Sequence, residues 1–402
     1  MFNLDQFIKH HVIKRNQSMF LPDIVANEEA LSHKICGRTI LVIGGAGSIG
    51  SSFIEAILPY HPQELVVVDT NENALAELAR SFRSTGRVSL PEVFIPYPMD
   101  YHANAFEKMF RAHSGFDIIA NFSAHKHVRS EKDIYAVEAM LQNNILHAKE
   151  LLDLLSKFPP EVFFCVSTDK AANPVNIMGA SKRIMEDLIF TYSDKFTVTT
   201  ARFANVAFSN GSLPSGFLNR IQKGQPISAP YDVRRYFVSP EESGQICLLA
   251  CMLGKNREIF FPKLKEAQMM SFDAIARELL KAHGYEVTEC ASDEEAIKKA
   301  ELLKHGSRQY PVHFSVSDTS GEKPYEEFVT NKEKTDANRF DALGVITGKE
   351  IPDRGRIEKL FLELNAAFDR DKTTKEEIVR IMRDYLPEFE HIETGKTLDN
   401  KM

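Results

Sequence analysis

The sequence lacks the features that mark several classes of protein. It has no excess of positive charge, since 49 Lys and Arg residues stand against 56 Asp and Glu residues and the formal net charge is −7. Proteins that bind nucleic acid usually carry a basic surface, so nucleic acid is not an expected partner. No apolar run approaches the ~20 residues that a membrane-spanning helix needs. The first 20 residues mix charged and apolar side chains, unlike a secretory signal.

Cysteine is scarce as well, and the five cysteines are odd in number. Most of them stand among apolar residues, as buried thiols do in a reducing compartment. Cys247 and Cys251 share a predicted helix face, but no third or fourth ligand lies near them, so we expect no metal site. These absences predict a soluble, cytoplasmic protein without a bound metal ion.

The composition that remains is that of a globular protein. With 402 residues, 43% of them hydrophobic and 26% charged, the chain is long enough for more than one domain. Residues 1–36 are expected to form a helical leader that serves in packing or in oligomerisation. The first strand of the main fold is predicted directly after this leader.

A glycine-rich loop follows that predicted strand, Ile40–Ile43, and precedes an amphipathic helix. Three of its glycines, Gly44, Gly47 and Gly50, stand at every third position. Such spacing lets the backbone turn tightly and approach a pyrophosphate, while the start of the helix faces the phosphate charge. The residues predicted to bind a dinucleotide in this way are Gly44, Gly47, Ser48, Ile49 and Gly50.

Two acidic residues at the ends of later strands add to the dinucleotide prediction. Asp69 ends the second strand, where an acid accepts hydrogen bonds from a ribose diol and repels a 2′-phosphate, which favours NAD over NADP. Asp100 follows the third strand and has two interpretations. It either meets an adenine amino group or caps a helix over residues 103–112.

The fourth strand, residues 117–122, ends in the segment SAHKHV. Ala124 is small enough for the chain to pass close beneath a nicotinamide ribose. Lys126 and His127 offer polar groups to a ligand, although simple solvation at the surface explains them equally well.

The most informative stretch is Phe163–Arg183. It begins as a buried strand, continues into Thr168, Asp169 and Lys170, crosses an Asn-Pro turn and enters a helix that carries Met178 and Lys182. Open α/β sheets bind their ligands at the carboxyl ends of the strands, so the polar cluster is a candidate reactive site. An ordinary salt bridge between Asp169 and Lys170 is the alternative.

Several motifs in this order give the chain a family likeness: GGAGSIG, SAHKHV, STDKAANPVNIMGASKR, VRRYFVSPEE and SGEKPYEEF. The sequence resembles the extended short-chain dehydrogenase/reductase superfamily, in particular its polysaccharide-biosynthesis group of UDP-N-acetylglucosamine 4,6-dehydratases. The resemblance covers about residues 37–350. It implies an α/β fold with a doubly wound parallel (Rossmann) sheet and a smaller, interleaved C-terminal substrate domain.

The resemblance also implies a division of the chain into domains. An NAD-binding domain is expected at 37–206 with a return segment near 240–262, and a sugar-nucleotide domain at 207–239 and 263–350. Residues 351–402 are expected to form helices and a polar tail that make an oligomer contact, and the protein is expected to be a homo-oligomer.

The implied chemistry depends on a missing tyrosine. Most of the superfamily uses a Tyr-x-x-x-Lys pair, and the matching positions here are Met178 and Lys182. A thioether cannot accept a proton, so the resemblance assigns acid and base work to the strand end: Lys170 as the base at C5 and Asp169 as the acid at O6. Thr168 is expected to bind the C4 oxygen and Lys182 the nicotinamide ribose.

A base must be neutral, so we expect burial and the nearby Lys182 to lower the pKa of Lys170.

The substrate implied is a UDP-linked N-acetylhexosamine, with Asn205, Ser212 and Arg235 as contacts. The arginine that the family carries two residues before Gly321 is replaced by Thr319, and Arg308 is one candidate to supply its charge. The predicted reaction is NAD-dependent loss of water to a 4-keto-6-deoxy sugar. A 4-epimerase and a non-catalytic NAD-binding protein are the alternatives.

Overall fold

A nine-stranded sheet forms the centre of the molecule. The structure is a computed structural model and describes residues 2–86, 89–126, 131–303 and 306–393. From one edge to the other the strands are β3 (Val93–Pro98), β2 (Glu64–Asp69), β1 (Thr39–Ile43), β4 (Ile118–Asn121), β5 (Val162–Thr168), β6 (Thr197–Phe203), β11 (Glu258–Pro262), β16 (Leu343–Thr347) and β15 (Lys334–Asp336). The first seven in this order are parallel, and β16 and β15 are antiparallel.

The strand order 3-2-1-4-5-6 is that of a doubly wound dinucleotide-binding sheet, which confirms the predicted fold class. Strands of this kind are apolar on both faces, and each face is covered by helices. Leu41 and Ile43 point into one apolar core, and Ile40 and Val42 point into the other, because successive side chains of a strand alternate.

Helices cover both faces of the sheet. In chain order they are α1 (Leu4–Phe7), α2 (Leu21–Ala26), α3 (Glu28–Ile35), α4 (Ser48–Ile57), α5 (Glu72–Thr85), α6 (Asn104–Ala112), α7 (Ile134–Leu141), α8 (His147–Leu155), α9 (Ile177–Phe190), α10 (Leu213–Lys223), α11 (Pro240–Leu253), α12 (Phe272–Ala282), α13 (Asp293–Glu301), α14 (Arg354–Phe368) and α15 (Lys375–Tyr385). Short π-helical turns lie at Ile8–Val12 and Gln142–Leu146, and 3₁₀ turns at Leu58–Tyr60, Asp169–Ala171 and Glu266–Gln268. In the described ranges none of these helices is long and apolar enough to cross a membrane.

A smaller unit lies beside the carboxyl edge of the large sheet. It contains a parallel three-stranded sheet of β8 (Ile227–Pro230), β14 (Gln309–Ser315) and β13 (Glu286–Glu289). Two short strand pairs connect the units: β7 (Asn205–Val206) with β10 (Phe237–Val238), and β9 (Arg234–Arg235) with β12 (Met270–Ser271). Side chains of α10 and α12 complete a separate core around Phe217, Leu279 and Tyr310.

The range 263–350, predicted to belong to the second domain, is shared between the two units. Its first part supplies α12, α13 and two strands of the three-stranded sheet, β13 and β14, whereas β16 pairs with β11 of the large sheet and β15 pairs with β16. Asp23 of the leader accepts hydrogen bonds from the backbone N–H groups of Asp341 and Ala342 just before β16. The leader therefore packs on this chain itself.

Candidate functional site

A cavity of about 1040 Å³ lies between the carboxyl ends of the large-sheet strands and the smaller unit. This is where open α/β sheets bind ligands. Each site residue predicted from the sequence lines this cavity, apart from His127, which lies outside the described residues. In the described parts of the chain, no group of three or more His, Cys, Asp or Glu residues is placed to hold a metal ion.

The glycine loop is packed too closely for side chains at two of its positions. Gly44 has a φ of +72°, and a Cβ there would lie 2.7 Å from the backbone nitrogen of Ser123. A Cβ on Gly50 would lie 2.4 Å from the carbonyl oxygen of Gly44. Gly47 precedes the first turn of α4, so Ser48 and Ile49 open that helix. The backbone of the loop is therefore exposed to the cavity at a helix N-terminus, as a phosphate site requires.

The two acidic residues lie on the same side of the cavity as the loop. Asp69 ends β2, and its carboxylate accepts hydrogen bonds from the N–H groups of Ala46 (3.0 Å) and Asn71 (2.9 Å). Asp100 accepts one from the N–H of His102 at 2.9 Å. The N-cap of α6 is Ala103, so the interpretation of Asp100 as the cap of that helix is wrong.

The segment that contains Ala124 and Lys126 is held in place by one buried amide. Asn144 Oδ1 accepts a hydrogen bond from the N–H of His125 (2.9 Å), and its Nδ2 donates to the carbonyl of His125 (3.0 Å) and to Ser181 Oγ (3.1 Å). Asn144 lies in the π-helical turn between α7 and α8, and such turns are common at functional sites. It thus connects the end of β4 with α9.

The strand end of β5 carries the polar cluster. Thr168 Oγ1 donates a hydrogen bond to Asp169 Oδ1 at 2.9 Å, and Lys170 Nζ donates to the same oxygen at 3.0 Å. Lys170 Nζ also lies 3.8 Å from Glu326 Oε1. Asp169 and Glu326 are buried, and the Lys170 side chain is 16% exposed. Lys170 is therefore enclosed between two carboxylates.

The expected lowering of the Lys170 pKa is wrong. Burial does lower it, but the charges of Asp169 and Glu326 outweigh burial, and the net effect raises the pKa of Lys170. The cation whose charge opposes these carboxylates is Arg235. The two carboxylates therefore favour the ammonium form of Lys170.

Met178 and Lys182 follow on α9, one helical turn apart. Met178 is 2% exposed and belongs to the apolar core, yet it also reaches the cavity. Lys182 is 4% exposed, and burial lowers the pKa of its ammonium despite the opposing charges of Cys165 and Glu186. Among the described residues its Nζ has no hydrogen-bond or ion-pair partner, which is costly for a buried polar group unless a ligand supplies one.

The smaller unit contributes the other wall. Ser212 caps α10 through a hydrogen bond from the N–H of Ser215 at 3.3 Å. Asn205 Nδ2 and Thr319 Oγ1 are buried and find no hydrogen-bond partner in the described parts of the chain. Both residues line the cavity, so a bound molecule could satisfy them.

The arginines of this wall differ from the sequence-based expectation. The guanidinium of Arg235 donates to the carbonyls of Arg234, Lys323 and Pro324 and to the carboxylate of Glu322. Arg308 is exposed and does not line the cavity, so it does not replace the missing arginine.

Arg220 of α10 does line the cavity, and within the described residues it makes no ion pair. Its Nη1 donates only a 3.3 Å hydrogen bond to the carbonyl of Gly216.

Glu326 and Arg220 are the two candidate site residues that sequence reasoning missed. Glu326 lies in the SGEKPYEEF motif, so a signal existed, but it did not distinguish Glu326 from Glu322 or Glu327. Arg220 lies on an amphipathic helix and resembles any exposed basic residue in the sequence.

Comparison with known proteins shows similarity along most of the chain. A protein of Methanocaldococcus jannaschii described as an uncharacterized membrane protein is 27% identical over 86% of this chain and 96% of its own. The chain covers only 48% and 45% of two relatives named for polysaccharide biosynthesis, from Bacillus subtilis and Staphylococcus aureus.

Two further relatives are named as enzymes of sugar nucleotides. UDP-N-acetylglucosamine 4,6-dehydratase (inverting) of Campylobacter jejuni is 28% identical over 57% of this chain and 67% of its own. UDP-glucose 4-epimerase of Rickettsia canadensis is 27% identical over 56% of this chain and 66% of its own. Because the two are equally distant, similarity alone does not separate their reactions.

Solved structures support the fold. Pen from Bacillus thuringiensis superimposes with a TM-score of 0.64 at 20% identity, over 82% of this chain and 98% of its own. A dTDP-glucose 4,6-dehydratase from Streptomyces venezuelae, solved with NAD bound, gives 0.54 at 18% identity, over 73% of this chain and 89% of its own. The match to family models is more specific: residues 40–347, which include the glycine loop and the Asp169–Lys170 pair, match the polysaccharide biosynthesis protein family, and the chain belongs to that family.

Proposed function

We propose that the protein removes water from a UDP-linked N-acetylhexosamine, with UDP-N-acetylglucosamine as the first candidate, and yields a 4-keto-6-deoxy sugar nucleotide. The observation that carries the proposal is the Asp169–Lys170 pair, which faces the same cavity as the glycine loop and Lys182. An acid and a base in contact are what an elimination needs, whereas simple binding of a nucleotide does not require them.

The cavity fits NAD as the cofactor. The glycine loop leaves room for a pyrophosphate at the start of α4, and Asp69 stands where a ribose diol is recognised. The Lys182 side chain is buried and its Nζ has no partner among the described residues, so it suits the hydroxyls of a second ribose. When bound, NAD would supply the hydride-transfer chemistry by which C4 of the sugar is oxidised and C6 is reduced.

The residues of the strand end handle the protons. Met178 cannot take the proton that leaves O4 during oxidation. Thr168 can pass it on, because its hydroxyl already donates to Asp169 Oδ1. Asp169 then holds a proton for the departing O6, and Lys170 in its amine form removes the proton from C5. The role of Asp169 rests on its 2.9 Å hydrogen bond from Thr168, and the role of Lys170 rests on its 3.0 Å hydrogen bond to Asp169.

The sugar nucleotide would lie against the smaller unit. Asn205 Nδ2 and Thr319 Oγ1 offer unused polar atoms there, and Arg220 offers a guanidinium without a carboxylate partner in the described residues. Guanidinium groups bind phosphate oxygens in pairs, so Arg220 suits the diphosphate.

A 4-epimerase is the second candidate, because the similarity to UDP-glucose 4-epimerase of Rickettsia canadensis is as high as that to the dehydratase. An epimerase returns the hydride to C4 and breaks no C–O bond. It therefore has no need of an acid at O6, and the Asp169–Lys170 pair favours dehydration.

The product mass distinguishes the candidates. Purified protein is incubated with NAD and UDP-N-acetylglucosamine, and the sugar nucleotide is followed by mass spectrometry. We expect the loss of one water. An isomer of unchanged mass would show an epimerase instead, and an unaltered substrate would contradict both reactions on this sugar.

Asp169→Asn tests the assignment of the acid. The amide cannot protonate O6, so we expect the loss of water to fall by about 100-fold or more, while NAD still binds. Asp153→Asn on α8 is the control, because this carboxylate pairs with Lys149 away from the cavity. Turnover of Asp169→Asn close to that of the control would rule out this role.

A further inference from the structure

Glu326 is the one cavity carboxylate that contacts Lys170 from the smaller unit, among the residues that the structure describes. Its side chain is 2% exposed, and its Oε1 lies 3.8 Å from Lys170 Nζ. Within the described ranges its carboxylate accepts no hydrogen bond from any other group. A buried carboxylate of this kind is poorly stabilised as an anion.

The number of protons that the proposed reaction moves indicates a role for the carboxylate of Glu326. The sugar releases one proton from O4 and one from C5 before C5 is protonated again, and O6 takes up one as it leaves. Met178 accepts none. Asp169 accepts the O4 proton through Thr168, but Lys170 pairs with two carboxylates that favour its ammonium form, and an ammonium ion takes no proton from C5. The strand end alone therefore lacks one acceptor.

We propose that Glu326 accepts the surplus proton of Lys170 and thereby converts Lys170 into the amine that removes the C5 proton. The proposal rests on the dehydration proposed above. Glu326 acts through Lys170 and not on the sugar, so it is a positioning residue for the base.

The protons balance over one turnover. Glu326 takes a proton from Lys170, Lys170 takes the proton from C5, and Asp169 gives the O4-derived proton to O6, which leaves as water. After the hydride returns to C6, Lys170 gives its proton back to C5, and Glu326 returns its own to Lys170. Each of the three side chains ends in the state in which it began, and no outside acid or base is needed.

The charges around the pair are consistent with this transfer. Glu326 faces Lys170, Asp169, Arg235 and Lys323. Burial raises its pKa, and the nearby carboxylate of Asp169 adds to this, so the protonated form is accessible. Lys170 faces Asp169, Glu326 and Arg235. A proton placed on Glu326 removes one of the two carboxylate charges that keep Lys170 protonated.

The test compares Glu326→Gln and Glu326→Asp with the wild type. Glu327→Gln is the matched control, because Glu327 is the next residue, is exposed, and binds Asn173 Nδ2 at 2.9 Å instead of Lys170. Reduced NAD formed on mixing with the sugar nucleotide reports C4 oxidation, and product mass reports elimination. Folding of each variant is checked by thermal unfolding.

In Glu326→Gln we expect reduced NAD to accumulate, while elimination falls by about 100-fold or more at neutral pH. Below the pKa of Lys170 the remaining rate should rise about tenfold per pH unit, since only lysine that has lost its proton to water can act. Glu326→Asp should recover at least part of the rate. If Glu326 only raised the pKa of Lys170, Glu326→Gln would eliminate as fast as the wild type or faster at neutral pH, and that result would overturn the proposal.

A second measurement needs no sugar. The rate at which an amine-specific reagent modifies Lys170 is followed against pH by peptide mass spectrometry. Loss of the Glu326 charge should shift the pKa of Lys170 downward in Glu326→Gln and leave it unchanged in Glu327→Gln. An unchanged pKa in Glu326→Gln would contradict the contact. A shift in a protein that makes no dehydrated product would instead count against the proposed function and leave the Glu326–Lys170 coupling standing.

Discussion

Two buried lysines of the cavity differ in the balance between burial and neighbouring charges, so their pKa values shift in opposite directions. Lys170 and Lys182 are both largely removed from water, and burial lowers the pKa of each. Lys170 contacts Asp169 and Glu326, so its net pKa is raised. Lys182 has no such contact in the described residues, and its net pKa is lowered. The cavity thus contains one lysine whose charge is balanced by carboxylates, Lys170, and one whose amino group is available to a polar ligand, Lys182.

Arg220→Gln tests the proposed diphosphate contact. A hydrogen bond to a charged group contributes about 1.5–3 kcal/mol, so we expect KM for the sugar nucleotide to rise about 10-fold to 100-fold. The kcat should change little, because the diphosphate lies away from the reacting carbons. Isothermal titration with UDP should show the same loss of affinity without any turnover.

Arg234→Gln is the control for this substitution, since Arg234 is about half exposed and does not line the cavity. Arg235→Gln is informative in a different way. Its guanidinium holds Glu322 and backbone carbonyls, so its loss should lower stability as well as affinity. A weaker affinity in Arg235→Gln at unchanged stability, with Arg220→Gln unaffected, would support Arg235, as predicted from the sequence, as the diphosphate contact in place of Arg220.

The sequence could predict the position of those site residues that directly follow a predicted strand. Asp69 and Asp169 each lie at the end of a predicted strand, and strand ends gather at one edge of a parallel sheet. Glu326 could not be placed in this way, because it meets Lys170 only after the smaller unit has folded back over the sheet. The sequence could not predict which arginine lacks an ion-pair partner among the described residues either, since this depends on the positions of carboxylates such as Glu322.

At the scale of elements, one buried ion pair connects the site helix with the sheet. Arg202 of β6 is fully buried and donates to Glu186 of α9 at 2.9 and 2.8 Å. It also donates to Glu333, just before β15, at 2.7 and 2.9 Å. Ser167, next to Thr168 on β5, donates to Glu186 as well. Strands β5 and β6 and helix α9, which carry the proposed site, are therefore connected through the carboxylate of Glu186.

Arg202→Met should destabilise the protein by about 3–5 kcal/mol, because two buried carboxylates lose the guanidinium that pairs with both of them. The free energy of unfolding in urea measures this. Arg354→Met is the control, since Arg354 is more than half exposed in its pair with Asp194 and exposed pairs contribute about 0–1 kcal/mol. Equal effects of the two substitutions would contradict the role of the buried pair.

The same comparison has a pH dependence. Burial would raise the pKa of Glu333, but Arg202 and Lys349 outweigh it and lower the pKa from 4.5 to about 2. A carboxyl group with a lowered folded-state pKa stabilises the fold above its unfolded pKa, and this contribution is lost as the pH falls from about 4.5 through about 2. Acid titration of stability should therefore be steeper in the wild type than in Arg202→Met over that range.

The buried strands of the large sheet could be predicted from the sequence, whereas the two strands at its edge, β15 and β16, could not. The buried parallel strands were predictable because their runs of β-branched and aromatic residues are long, and β1, predicted at Ile40–Ile43, spans Thr39–Ile43. β15 and β16 are short. β16 pairs antiparallel with β11 and β15 pairs antiparallel with β16, after a long segment of chain that belongs to the smaller unit. Pairing of this kind is set by tertiary contacts that local pattern does not contain.

At the scale of the whole molecule, both terminal segments pack on the protein's own surface. Arg15 of the leader pairs with the buried Glu242 at 2.6 Å. At the other end, Lys375 donates to the carbonyl of Glu131, whose carboxylate accepts the N–H of Met178. The C-terminal helices thus support the wall of the cavity from behind. This packing leaves open the predicted oligomer contact, which only their outer face could make.

Two leucines of α14 separate these two roles of the C-terminal helices. Leu364 is fully buried in the core that α14 shares with the sheet, whereas Leu362 is 70% exposed. Leu364→Ala should lower the free energy of unfolding by about 2–5 kcal/mol, and Leu362→Ala should stay within about 0.5 kcal/mol. If the outer face forms the oligomer contact, Leu362→Ala should lower the mass seen by light scattering at unchanged protomer stability. Equal losses of stability in both variants would contradict the packing of α14, because the same methyl groups are removed from the same helix and only their burial differs.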